Sequence, residues 1–276
     1  MKKTILRGAV VGAAASLALA GSPAFAISGT SADLSVLHAI PDTPVDVWVN
    51  GELTLDDFAP GDLAGPLDLP AGAYSIVITA PDATDISSPV IGPVDVTLAA
   101  NTSYTAVAHL TEAGEPSATL FTNDLSTTAP GEGRLTVRHT AAAPAVDILA
   151  GGTAVVSGLV NPKEASLDLP VSTVSAAVAL AGTTQPVIGP ADVPITEGTN
   201  TIVYAWGSAE DGNLALAVQT ISGLHSSPDG VNTGEAGLAA TGGSSPLLAL
   251  AALVGILAVG ATGAALALRR APSTGR

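Results

Sequence analysis

Residues 45–49 read VDVWV, so that in an extended chain Val45, Val47 and Val49 fall on one side and Asp46 and Trp48 on the other. The same period of two recurs at 74–78, where Tyr74, Ile76 and Ile78 alternate with Ser75 and Val77. It recurs again at 94–98, where Val94, Val96 and Leu98 alternate with Asp95 and Thr97. Such alternation predicts strands with one face buried and one face wet. Turn formers punctuate it: Pro41-Asp42, Asn50-Gly51, Pro60-Gly61, Pro70-Ala71-Gly72 and Gly92-Pro93. Asn50-Gly51 suits a two-residue type I′ hairpin, whose central residues both need positive φ. No stretch between residues 30 and 225 sustains a period of 3.6. Short strands with frequent turns predict an all-β, antiparallel sandwich.

The pattern is written twice. LSVLHAIPDTPVDVWVNG at 34–51 pairs with LTVRHTAAAPAVDILAGG at 135–152, LDLP occurs at 67–70 and 167–170, and PVIGPVDVTL at 89–98 pairs with PVIGPADVPI at 186–195. Gly151-Gly152 stands where Asn50-Gly51 stands and serves the same turn. A spacing of about 100 residues is too long for a solenoid repeat and suits a small domain. The expected body is therefore two tandem immunoglobulin-like antiparallel β-sandwich modules, 27–121 and 134–223, joined by a linker at 122–133.

The ends read differently. Lys2, Lys3 and Arg7 precede an apolar run, Gly8 to Ala20, and then Ala24-Phe25-Ala26. This is the pattern of a secretory signal occupying 1–26 as a helix, cleaved after the small residues Ala24 and Ala26. Pro246 to Leu268 carries no charge and as a helix spans about 34 Å, enough to cross a bilayer. Arg269 and Arg270 open a basic tail at 269–276, which places the tail in the cytoplasm and the body outside. The segment 224–245 reads as a flexible stalk.

Charge sharpens this division. All 24 acidic residues lie between Asp33 and Glu235, and only Arg134, Arg138 and Lys163 offset them in that span. Such a body cannot neutralise phosphates, so nucleic acid is excluded as a partner. The absence of cysteine excludes disulfides, zinc–thiolate sites and thiol catalysis. The chain contains no G-x-S-x-G, H-E-x-x-H or phosphate loop, and its aromatic content of 3% leaves little to line a large ligand pocket. An enzyme is not expected, and no cofactor is implied.

Two resemblances follow from these residues. Leu238-Ala239-Ala240-Thr241-Gly242, then the apolar span, then the basic tail, resembles the cell-wall sorting signal of Gram-positive surface proteins, in the L-A-x-T-G form. The resemblance implies a sortase that cleaves after Thr241 and joins it to a peptidoglycan precursor. The alternative is a permanent single-pass membrane anchor. VLHAIPDTPVDVWVNG followed by LDLPAGAYSIVI resembles the DUF4397 family of secreted bacterial β-sandwich modules, with the second copy diverged. That resemblance brings no catalytic residues.

Three groups of side chains are candidates for chemistry. His38 and His139 share a repeat position on the buried side of a strand, where bonding to a loop backbone is expected. Asp46 and Asp147 are expected to face solvent, where with Asp42, Asp56, Asp57 and Asp62 they could form a weak cation site. No D-x-D-x-D-G loop is present, and no metal site is assigned. Trp48 is expected outward beside Asp46, packed against the neighbouring module or a crossing loop; the alternative is an exposed indole that stacks on a sugar ring. The expected function is a wall-anchored surface protein for adhesion or structural contact; a glycan-binding module built on Trp48 is the alternative.

Overall fold

The computed structural model describes residues 27–225. The signal segment 1–26, nearly all of the stalk, the sorting motif and the apolar span 246–268 lie outside the described residues.

The first module contains β1 (Ser31–Ala39), β2 (Val45–Val49), β3 (Glu52–Phe58), β4 (Leu63–Pro70), β5 (Gly72–Thr79), β6 (Ile91–Leu98), β7 (Thr102–Leu110) and β8 (Pro116–Asn123). The second contains β9 (Glu132–His139), β10 (Val146–Ala150), β11 (Thr153–Leu159), β12 (Lys163–Pro170), β13 (Ser172–Leu180), β14 (Pro186–Ile195), β15 (Thr199–Trp206) and β16 (Ala215–Ser222). Strand β8 runs through Asn123 and β9 begins at Glu132, both inside the expected linker.

Each module is a sandwich of two four-stranded sheets. Their orders are β4-β1-β7-β8 over β3-β2-β5-β6, and β12-β9-β15-β16 over β11-β10-β13-β14. The alternating residues meet as expected: Leu34, Val36, Val45, Val47, Ile76, Ile78 and Leu98 share one core, and Leu135, Val137, Val146, Ile148, Val178 and Ile195 share the other. Asn50 and Gly51 both hold positive φ, as do Gly151 and Gly152, so both hairpins take the expected turn. The shared PVIGP motif also has a physical cause. A Cβ on Gly92 would lie 2.7 Å from the Ile76 carbonyl oxygen, and one on Gly189 would lie 2.9 Å from that of Ala176.

Two expectations need correction. The immunoglobulin order places strands 1, 2, 5 and 4 in one sheet and 3, 6 and 7 in the other. Here β1 pairs with β4 and β7 instead, and the β1–β7 and β9–β15 pairings are parallel. Alternation fixes which residues face the core but not which strands become neighbours. Parallel neighbours need a long crossover, and here β2 to β6 supply it.

Nor are all the outer faces wet. The outer face of β4-β1-β7-β8 stacks on that of β12-β9-β15-β16, and Leu37, Ala39, Val107, Phe121, Ile202 and Tyr204 form a third apolar cluster between the modules. Strands β1, β9 and β15 are therefore buried on both sides. A polar layer runs through this junction. Arg138, 1% exposed, donates to Glu164 at 2.7 Å, to the Tyr204 hydroxyl at 2.7 Å and to Asn123 Oδ1 at 3.0 Å. Its guanidinium also lies 4.4 Å from the centre of the Phe121 ring. Gln219 accepts from Thr105 at 3.0 Å and donates to Ser35 at 3.2 Å, tying β16 to β7 and β1.

Candidate functional site

Alternation along β2 turns Val45 and Val47 inward and leaves Asp46 and Trp48 on the outer face. That face is not open. Trp48 is 9% exposed, and its indole N–H donates to Thr79 Oγ1 on β5 at 3.0 Å. Laid along the sheet, the large ring buries its own area and finds a partner for its one polar atom. The indole is thus covered, not presented as the open platform that the glycan-binding alternative requires. Leu149, at the same place in the second module, is buried with Ala177 and Ala179.

Asp46 is likewise buried, at 1% exposure, although it was expected to face solvent. Its Oδ1 accepts the Asp57 N–H at 2.9 Å. Its Oδ2 has no hydrogen-bond partner. Asp56 and Asp57, at the end of β3, close on it: one carboxylate oxygen from each of Asp46, Asp56 and Asp57 lies within 4.8 Å of the other two. Asp82, in the loop after β5, is near enough for its charge to act on Asp56. Desolvation, the charges of Asp46, Asp57 and Asp82, and a hydrogen bond to Asp46 available to the protonated form together push the Asp56 carboxyl above its ordinary value of 3.8.

The second module treats the equivalent carboxylate differently. Asp147 is 6% exposed, and both its oxygens are capped: Oδ1 by the Gly158 N–H and Oδ2 by the Gly182 N–H, each at 2.8 Å. Gly158 and Gly182 hold φ of 67° and 78°; Asp57 and Asp82 stand at their repeat positions with φ of 50° and 61°. Ser157 stands in place of Asp56.

Of the other acidic candidates, Asp62 acts on His38, and Asp42 accepts from Asn213 of the second module; neither is a member of the Asp46 cluster. His38 and His139 behave as core histidines, bonding the Thr43 and Pro144 carbonyls through Nε2 at 2.9 and 3.1 Å. Burial pushes both imidazoles below their ordinary 6.5. His109 is also buried, its Nδ1–H donating to Leu110 and its Nε2 accepting from Thr119. Sequence reasoning passed over Asp82, because it lies outside the three shared landmarks. Aligning PDAT at 81–84 with AGTT at 181–184 would have shown an aspartate opposite a glycine.

The fold defines a protein of two stacked β-sandwich modules. The family described as "Domain of unknown function (DUF4397)" matches residues 32–149, from the second residue of β1 through β8 and into β10 of the second module. That match supports the family resemblance carried by the histidine and aspartate motifs of β1 and β2. No curated protein matches the chain. Among solved structures the chain is similar to CBMbc, a family CBM26 module from Eubacterium rectale Amy13K crystallised in complex with maltoheptaose. The likeness has a TM-score of 0.21 and 12% identity, over 71% of this chain and 98% of that one, and at that score it carries no argument about fold or ligand.

Proposed function

We propose that this chain is a non-enzymatic surface protein that holds a stiff two-module body outside the cell for adhesion or structural contact. The observation that carries the reading is the junction between the modules. Leu37, Val107, Phe121, Ile202 and Tyr204 share one apolar cluster across it, and Arg138 is buried within it. Modules joined by a flexible linker would move independently. Modules sharing a core move as one block, which suits a spacer or a presented surface.

The tail supplies the attachment. Leu238, Ala239, Ala240, Thr241 and Gly242 are the sorting motif, with sortase and a peptidoglycan precursor as partners; the span 246–268 is the membrane anchor before cleavage, or in its absence. Fractionation of cells with and without sortase activity tests this. Wall-linked protein that becomes detergent-extractable on loss of sortase, or on replacing Thr241 and Gly242 by alanine, supports sorting. Attachment that persists in both cases overturns it.

A further inference from the structure

The niche around Asp46 combines features that a solvated acidic surface does not. Asp46 is 1% exposed, yet Oδ2 has no hydrogen-bond partner. Leaving a buried charged acceptor unsatisfied is costly, and native proteins rarely do so. The second module shows that this fold can cap both oxygens of the same carboxylate with backbone N–H groups. The first module keeps only the cap from residue 57 and gathers the carboxylates of Asp56 and Asp57 on Asp46, with Asp82 close enough to act on Asp56. Asp57 and Asp82 occupy left-handed positions where the second module uses glycine, so aspartate is present there against the backbone's preference. No lysine or arginine occurs between residues 27 and 123, so the first module offers no side-chain cation to balance the cluster.

We propose that Asp46, Asp56 and Asp57, assisted by Asp82, bind a divalent cation of the calcium type. The donors are all hard oxygens, with no sulfur or imidazole among them, which disfavours zinc and copper. Calcium accepts an irregular set of carboxylates at about 2.3–2.6 Å, so donor oxygens across one ion lie up to about 5 Å apart. The 4.8 Å limit on the separation of these oxygens fits that span. Exposed Asp56 and Asp57 leave room for water to complete the shell. The ion supplies the partner that Asp46 Oδ2 lacks and ties β2 to the end of β3.

The nearby indole gives a direct readout. Trp48 lies two residues from Asp46 on the same face of β2, about 7 Å along the strand. Terbium, a luminescent stand-in for calcium, bound at the niche is excited through that ring. The experiment uses the full chain with Trp206→Phe, which leaves Trp48 as its only tryptophan. The expected results are tryptophan-sensitised terbium luminescence, its displacement by calcium but not by equimolar magnesium, and a calcium-dependent rise in the thermal midpoint. The Asp56→Ser/Asp57→Gly variant installs the residues that the second module carries at these places, so the fold already accommodates them. It is expected to weaken calcium binding at least tenfold while circular dichroism stays unchanged. Absence of luminescence and of a calcium effect in the parent protein overturns the proposal, as does binding retained in the variant.

Discussion

In the first module Ser35 and Leu37 of β1 face the partner sheet; in the second, Thr136 and Arg138 of β9 stand at the same repeat positions. The cores share many positions but not all: Phe58, Ile76 and Tyr104 of the first stand where Leu159, Ala176 and Thr201 stand in the second. Leu34 matches Leu135, Val36 matches Val137, Val47 matches Ile148 and Ile78 matches Val178. Inside each sandwich the constraint is volume, and at the matched positions similar aliphatic residues satisfy it in both copies. On the outer faces the constraint is the neighbour. There the copies diverge into complementary surfaces: an apolar and hydroxyl face on β1, an arginine-bearing face on β9. The outermost sheets diverge as well, through Trp48 against Leu149 and the open carboxylate of Asp46 against the capped one of Asp147. One frame therefore carries two chemistries, and the differences in polar chemistry lie on the outer faces, while those in the cores are of volume.

Giving the second module the first module's residue at the junction breaks the comparison most severely. Arg138→Leu strips the hydrogen bonds from Asn123 and the Tyr204 hydroxyl and leaves Glu164, itself 37% exposed at the side chain, without its partner. Removing one member of such a buried set costs about 3 kcal/mol, although the leucine itself is apolar. Chemical denaturation checks the loss. Calorimetry is expected to show one transition in the parent protein and two in the variant, because the junction is what couples the modules.

Trp48→Leu installs the second module's residue on β2. The smaller side chain leaves a void above Thr79 and removes the indole N–H bonded to its hydroxyl. The cost is expected at about 2 kcal/mol, below that of full truncation to alanine. Binding of wall or host polysaccharides is expected to be unchanged, since the ring is covered. Denaturation midpoints and a glycan array read the two halves of this prediction.

Much of the frame was legible because period-two burial and glycine turns act locally. Val45 and Val47, Asn50-Gly51 and Gly92-Pro93 each announce a geometry within a few residues. Strand order was not legible, since nothing in the sequence of β1 marks β7 as its parallel neighbour. Nor was the second burial of β1. Leu37 and Ala39 read as the wet face, and only a sheet from the other module makes them interior. Trp48 and Asp46 were assigned to the correct face of β2, but the burial of that face depends on the indole lying down and on Asp57 folding back at positive φ. Both are tertiary events. Arg138, with an arginine's composition and a core residue's burial, was counted only as surface charge.

The Asp56→Ser/Asp57→Gly exchange, made in chelator, sharpens the comparison from the other side with a smaller effect of opposite sign. Without a cation the niche holds repelling carboxylates, so the variant is expected to raise the thermal midpoint at neutral pH. The gain is expected to vanish on acidification. Asp56 has its folded value raised above 3.8, so its favourable contribution is complete below 3.8 and is lost as pH rises through the folded value. The parent protein therefore regains stability as Asp56 takes up its proton, whereas the variant has no such group. Thermal melts across the acidic range, with and without chelator, measure the difference.

The smallest effect is expected from the histidines, and the same variant isolates it. His38, His109 and His139 have folded values lowered below 6.5, chiefly by burial. Their contribution is complete above 6.5 and is lost as pH falls through the folded values. Asp62 favours protonation of His38 and Glu112 that of His139, whereas His139 opposes that of His109. His109 has no counterpart in the second module, where Trp206 follows the same stretch of strand. His109→Gln, which keeps a donor for the Leu110 carbonyl and an acceptor for the Thr119 hydroxyl, is expected to make the loss of stability below pH 6.5 shallower. If the acid limb of the stability curve has the same slope in His109→Gln as in its parent, the His109 imidazole does not titrate with unfolding. The acid response then belongs to the pair that the two modules share.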